Sequence, residues 1–125
     1  VVAKGNAKIY SSGAATGIIV VDNNNPVDFV VAGRLMQRVW LRATKMGLSL
    51  QPVTGVLFLM QRVIAGDTEN FSTLHINLLK DAYEKIKTVF GVKSGTIAML
   101  FRIGEGDKPS AYSSRLPPRI TQNNI

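Results

Sequence analysis

Thr96-Ile97-Ala98-Met99-Leu100-Phe101-Arg102-Ile103-Gly104 is the stretch on which the fold turns. Its apolar run lies between the polar turns Lys93-Ser94-Gly95 and Glu105-Gly106-Asp107, so it reads as a buried β-strand. Beyond the second turn comes Ser113-Ser114-Arg115-Leu116-Pro117-Pro118. An apolar strand leading an arginine into a proline-stiffened segment suits anion recognition. The guanidinium is always charged, and its donors form a planar fork that matches phosphate oxygens. Arg115 has a plainer alternative in an ion pair with Glu105 or Asp107.

Working outward, Ala15-Thr16-Gly17-Ile18-Ile19-Val20-Val21-Asp22 is β-branched and bounded by polar residues, and predicts a second buried strand. Asn23-Asn24-Asn25 breaks it. Asn25-Pro26-Val27-Asp28 is then a helix start. Asn caps free amides, Pro tolerates the first helical position, and Asp28 suits the positive end of the helix dipole. The helix is expected to run to about Met46 and to stop at Gly47, which can adopt the left-handed closing conformation. Most of its interior is apolar (Val30, Val31, Leu35, Met36, Val39, Trp40, Leu41, Ala43, Met46), which predicts packing on several sides, in the centre of the fold or at an oligomer seam. Arg34, Arg38, Arg42 and Lys45 fall on one stripe. That stripe is either a solvated face or a contact for an anionic partner or for facing acidic groups.

Leu48 to Gln51 reads as a short extended segment, Pro52-Val53-Thr54-Gly55 as a turn, and Val56 to about Ile64 as a short apolar helix. A further helix is expected from near Ser72 to Phe90, with Leu74, Leu78, Ala82, Ile86 and Val89 as its apolar face and an Asp81–Lys85 ion pair. Strand, long helix, loop, two helices and strand make an α+β or α/β domain in which helices cover a small sheet. No repeat, low-complexity tract or linker divides residues 1–125, which read as a single domain.

Composition narrows the function classes. There is no cysteine, so disulfides, thiol catalysis and Cys-based zinc sites are excluded. That suits a reducing cytoplasm, where the chain is expected to work. No apolar run approaches the roughly 20 residues that span a bilayer, and no signal peptide is visible. The chain starts without methionine, which hints at a piece of something longer. The net charge of +7 comes from 15 basic residues with no run of three together. It marks either a generic basic surface or a bias toward phosphate-bearing ligands, and nucleic acid is an unlikely partner because no RNA-binding signature or finger spacing accompanies it.

Side chains for acid–base or nucleophilic chemistry are scarce. His75, the one histidine, has no neighbouring nucleophile, acid or metal partner and reads as a capping or surface residue. The eight acidic residues have no metal-ligand spacing, and no carboxylate pair stands out. Any enzyme built on this chain would rely on a cofactor for its reaction. Gly47-Leu48-Ser49-Leu50-Gln51-Pro52-Val53-Thr54-Gly55 closes one helix and opens the next. The amides of Thr54 and Gly55 fall at a helix N-terminus, free to donate outward, and Gly55 lets a flat ligand approach the backbone. As a bare pattern it is equally an ordinary connection between helices.

Three stretches together resemble the nitroreductase family. Ala32 to Leu48 resembles that family's long central helix, Gln51-Pro52-Val53-Thr54-Gly55 its flavin-contacting loop, and the closing strand with Ser114-Arg115-Leu116-Pro117 its final strand and phosphate-binding tail. The resemblance covers about residues 14–120. It implies an α+β fold of three layers, an intertwined homodimer, and FMN at the interface passing hydride from NAD(P)H to nitroaromatic, quinone or similar small-molecule acceptors. It also implies that Pro52 and Val53 line the isoalloxazine, that the Thr54 and Gly55 amides face its N5 and O4 edge, and that Arg115 holds the phosphate. Ser113 falls where some members have lysine, which implies weaker phosphate binding. Nothing before Ala14 resembles the family's N-terminal Arg-x-Ser-like contact, so an incomplete domain, the family's C-terminal portion, is expected. The alternative is a non-catalytic nitroreductase-like dimerisation or binding module within a larger multidomain protein.

Overall fold

The structure is a computed structural model and describes residues 13–107 together with Ser114 and Leu116. The elements follow as β1 (Ala15–Val21), α1 (Pro26–Lys45), β2 (Ser49–Pro52), α2 (Gly55–Ile64), α3 (Thr73–Val89) and β3 (Thr96–Gly104). The class is α+β. The three strands form one antiparallel sheet in the order β1-β3-β2, so the last strand in the chain lies in the middle. A central strand is covered on both faces and paired at both edges, which is why β3 reads as a nearly continuous apolar run.

α1 covers one face of the sheet, where Ala32, Met36 and Ala43 meet Ile19, Val21, Leu50 and Ala98. α2 and α3 cover the other face, where Leu57 and Tyr83 meet Ile97 and Leu100. The pairing of β1 with β3 slips between Ile19↔Met99 and Val20↔Ile97, leaving Ala98 as the extra residue of a bulge. The slip puts Ala98 and Met99, although adjacent, on the α1 side. Beside the bulge, the Ile97 amide donates to the Tyr83 hydroxyl of α3 at 3.2 Å. On β1, Gly17 lies opposite Phe101. A Cβ at Gly17 would stand 2.5 Å from the ring's Cζ, so the ring occupies the space that any side chain there would need.

The α1 ends are as expected. The Asn25 side chain accepts from the Asp28 amide at 2.9 Å, Pro26 takes the first turn, and Gly47 closes the helix at φ +74°. The Leu48 amide then reaches back to the Ala43 carbonyl at 2.9 Å. At α3, the Ser72 hydroxyl accepts from the His75 amide at 3.3 Å.

Two packing expectations are corrected. α1 is not the central helix of the fold: among the described residues of the single chain it is buried along one line. Val27, Val30, Val31, Leu35, Leu41 and Met46 are exposed, because they project away from the arc of Ala32, Met36 and Ala43. On α3 the inward stripe is Ile76, Leu79, Tyr83 and Ile86, while Leu74, Leu78 and Val89 stand in solvent. Tyr83 turns the helix: its ring fills the core and its hydroxyl meets Ile97, and that rotates the leucine face outward. The ion pair on this helix is also displaced, from Asp81–Lys85 to Glu84–Lys87 at 3.1 Å.

Candidate functional site: the β2–α2 junction

Edge strand β2 brings the candidate loop to the sheet, pairing Ser49↔Gly104, Leu50↔Ile103, Gln51↔Arg102 and Pro52↔Phe101. Proline is tolerated here because an edge strand needs ladder donors on one side only. The Val53 amide adds one more bond, donating to the Leu100 carbonyl at 2.7 Å, and its side chain packs against the cluster of Leu57, Tyr83, Ile97 and Leu100. Thr54 then leaves the strand at φ −102°, ψ −16° and caps α2 without a side-chain hydrogen bond. The amides of Thr54 and Gly55 make no hydrogen bond among the described residues. At Gly55 an added Cβ would meet nothing within 4 Å, so the backbone there faces open space.

Four of the six residues singled out in the sequence, Pro52, Val53, Thr54 and Gly55, therefore lie together in one turn, anchored by two β3 partners. Ser113 and Arg115 lie outside the described residues. The junction offers two unspent N–H groups at the positive end of a helix, with no side chain in front of Gly55. That donor set and that open approach suit hydrogen-bond acceptors, such as the carbonyl and ring-nitrogen edge of a flat heterocycle.

No local pattern signals the neighbour of this junction. Arg102 Nε donates to Gln51 Oε1 at 2.8 Å across the β2–β3 pair. The two side chains border a cleft of about 210 Å3 with Ser49, Glu105 and Gly106. Cross-strand register brings residues 51 apart into contact, and no local pattern signals such a pairing. On the other side of α2, a cleft of about 530 Å3 opens between α2 and α3. Val56, which directly follows Gly55, lines it together with Leu59, Phe71, His75 and Leu78. Its loop is braced by Arg62, which pairs with Asp67 at 2.8 Å and lies 5.0 Å from the centre of the Phe71 ring. The hydrogen bond from Arg62 holds the Asp67 carboxyl below its ordinary value, and the same bond raises Arg62.

On α1, Arg34, Arg38, Arg42 and Lys45 are all exposed, and none has an ion-pair partner among the described residues. No group of three His, Asp or Glu side chains among the described residues is placed to hold a metal. No helix among them is long and apolar enough to cross a membrane. Comparison with protein-family models, with curated proteins and with solved structures returns no match.

Proposed function

We propose that the chain carries the flavin-facing part of an FMN-dependent oxidoreductase of nitroreductase type. It would act as a cytoplasmic homodimer that passes hydride from NAD(P)H to a nitroaromatic, quinone or similar acceptor. The observation that carries this reading is the β2–α2 junction, where the Thr54 and Gly55 amides make no hydrogen bond among the described residues and the backbone at Gly55 faces open space at the start of a helix. FMN, when bound, would supply the hydride chemistry. The chain's own part is to bind and orient. Thr54 and Gly55 would donate to the polar edge of the ring, Pro52 and Val53 would form its apolar support, and Arg115, with Ser113 beside it, would hold the phosphate. The last two roles rest on the resemblance alone. The exposed valines of α1 support the dimer, since Val27, Val30 and Val31 form an uncovered apolar patch on one helix.

The same patch favours a second reading, a non-catalytic dimerisation or binding module. Incubation with FMN, removal of free ligand and a visible spectrum separate the two. A yellow protein that loses its colour on Arg115→Ala supports the oxidoreductase. A folded dimer that stays colourless sinks the flavin assignment and leaves the module.

A further inference from the structure

A further cleft plays no part in the flavin reading. It has a volume of about 450 Å3 and opens along the C-terminal half of α1, walled by Val39, Ala43, Met46, Leu48 and Ile103. Three parts of the fold meet there: the side of α1, the turn that follows it, and the end of the central strand. The wall is carbon almost throughout. Arg38 and Arg42 border it, one helical turn apart on the same side of α1. Both are exposed, and neither has an acidic partner among the described residues.

Two unpaired guanidiniums at the edge of a carbon-walled cleft set two requirements on an occupant. An inorganic anion would meet the arginines but leave the cleft wall wet. A neutral apolar molecule would cover the wall and leave both charges unused. A molecule with a carboxylate at one end and a short apolar body satisfies both. The planar forks of Arg38 and Arg42 take the oxygens, and the body covers Val39, Met46, Leu48 and Ile103. Long arginine stems can lie along the apolar wall while their heads remain in water, which suits a ligand whose charged end stays at the mouth. The excess of basic over acidic residues, +7 over the whole chain, adds a long-range pull of the right sign.

We propose that this cleft is a binding site for a free medium-chain carboxylate, held at its charged end by Arg38 and Arg42. It is separate from the proposed flavin loop and does not depend on that loop's assignment.

The methionines provide the test. Met46 lines the cleft, Met36 is buried under α1, and Met60 packs on the α2–α3 side of the sheet. The chain, labelled with carbon-13 at its methionine methyls, is titrated with sodium decanoate below its micelle concentration and followed by NMR. The Met46 methyl should shift saturably while Met36 and Met60 stay in place. The double variant Arg38→Gln/Arg42→Gln should melt like the parent, because both side chains are exposed and unpaired, and should bind about tenfold more weakly or worse. Added salt should weaken binding to the parent, and decanol should not bind comparably. Equal affinity in the double variant, equal affinity for decanol, or a response centred on Met60 would overturn the proposal. So would displacement of decanoate by FMN, since the cleft would then belong to the flavin site. Retention of decanoate under excess FMN, with Arg38 and Arg42 still required, supports a separate site whether or not FMN binds elsewhere.

Discussion

Tyr83→Phe removes one oxygen from the junction of α3 with the central strand and leaves the rest of the packing in place. Tyr83 is 6% exposed and Ile97 1%, so water cannot replace the lost acceptor. The Ile97 amide, which donates to that hydroxyl at 3.2 Å, becomes a buried donor without a partner. Leaving such a group unsatisfied costs about 1–3 kcal/mol, partly offset because a phenol no longer has to be desolvated. A net loss of about 2 kcal/mol is expected. It corresponds to a fall in Tm of about 8 °C for a domain of this size. Urea unfolding followed by circular dichroism measures the loss, and amide exchange at Ile97 localises it. The midpoint should drop with no change in the m-value, and Ile97 should lose protection more than its neighbours. A Tm within about 2 °C of the parent would refute the reasoning, since the bulge would then have to supply that amide with another acceptor.

Gly55→Leu should separate stability from ligand binding. The added side chain meets no neighbour and replaces the poorest helix former short of proline, so the melt should hold or rise by up to about 1 kcal/mol, while retention of FMN on desalting should be lost. Gly17→Ala drives a methyl into the Phe101 ring and should cost about 1–3 kcal/mol in urea unfolding, with Gly17→Ala/Phe101→Leu recovering most of it. The Arg62–Asp67 pair should give a pH signature. Because the folded state holds the Asp67 carboxyl below its ordinary value of 3.8, the pair's contribution is present above that value and fades as the pH falls through the lowered one. The difference in Tm between parent and Asp67→Asn should accordingly be larger at neutral pH than in acid.

Local signals were legible wherever a few adjacent residues decide the backbone. Asn25-Pro26 opens α1 and Gly47 closes it as the sequence indicates; the run Ala15–Asp22 is a strand as far as Val21, and the run Thr96–Gly104 is a strand throughout. What depends on distant partners was not legible. No pattern near Thr96 says that β3 lies between β1 and β2, and none marks Ala98 as the bulged residue. In a hydropathy pattern Leu74 and Leu78 outweigh Tyr83 on α3, whereas in the fold the aromatic ring with its hydroxyl is what reaches the core. α1 shows the same limit: an apolar residue requires a cover, but the sequence does not say whether that cover is the sheet or something outside the described residues. At the candidate site, the Pro52–Gly55 turn was readable from its proline, its glycine and the helix that follows. The Gln51–Arg102 contact beside it depends on strand register and was not.

The central position of β3 bears on how the protein is made. β1 and β2 are not neighbours in the sheet; among the described residues each pairs with β3 alone. During synthesis both strands leave the ribosome with no partner to pair with, and α1 emerges before the sheet it will cover exists. Until the codons for Thr96 to Gly104 have been translated, Ile19, Val21 and Leu50 can meet α1 but not the strand that joins β1 to β2. The sheet therefore closes late, and synthesis stalled just short of β3 would leave β1 and β2 without their common partner, the kind of species that chaperones hold and proteases clear.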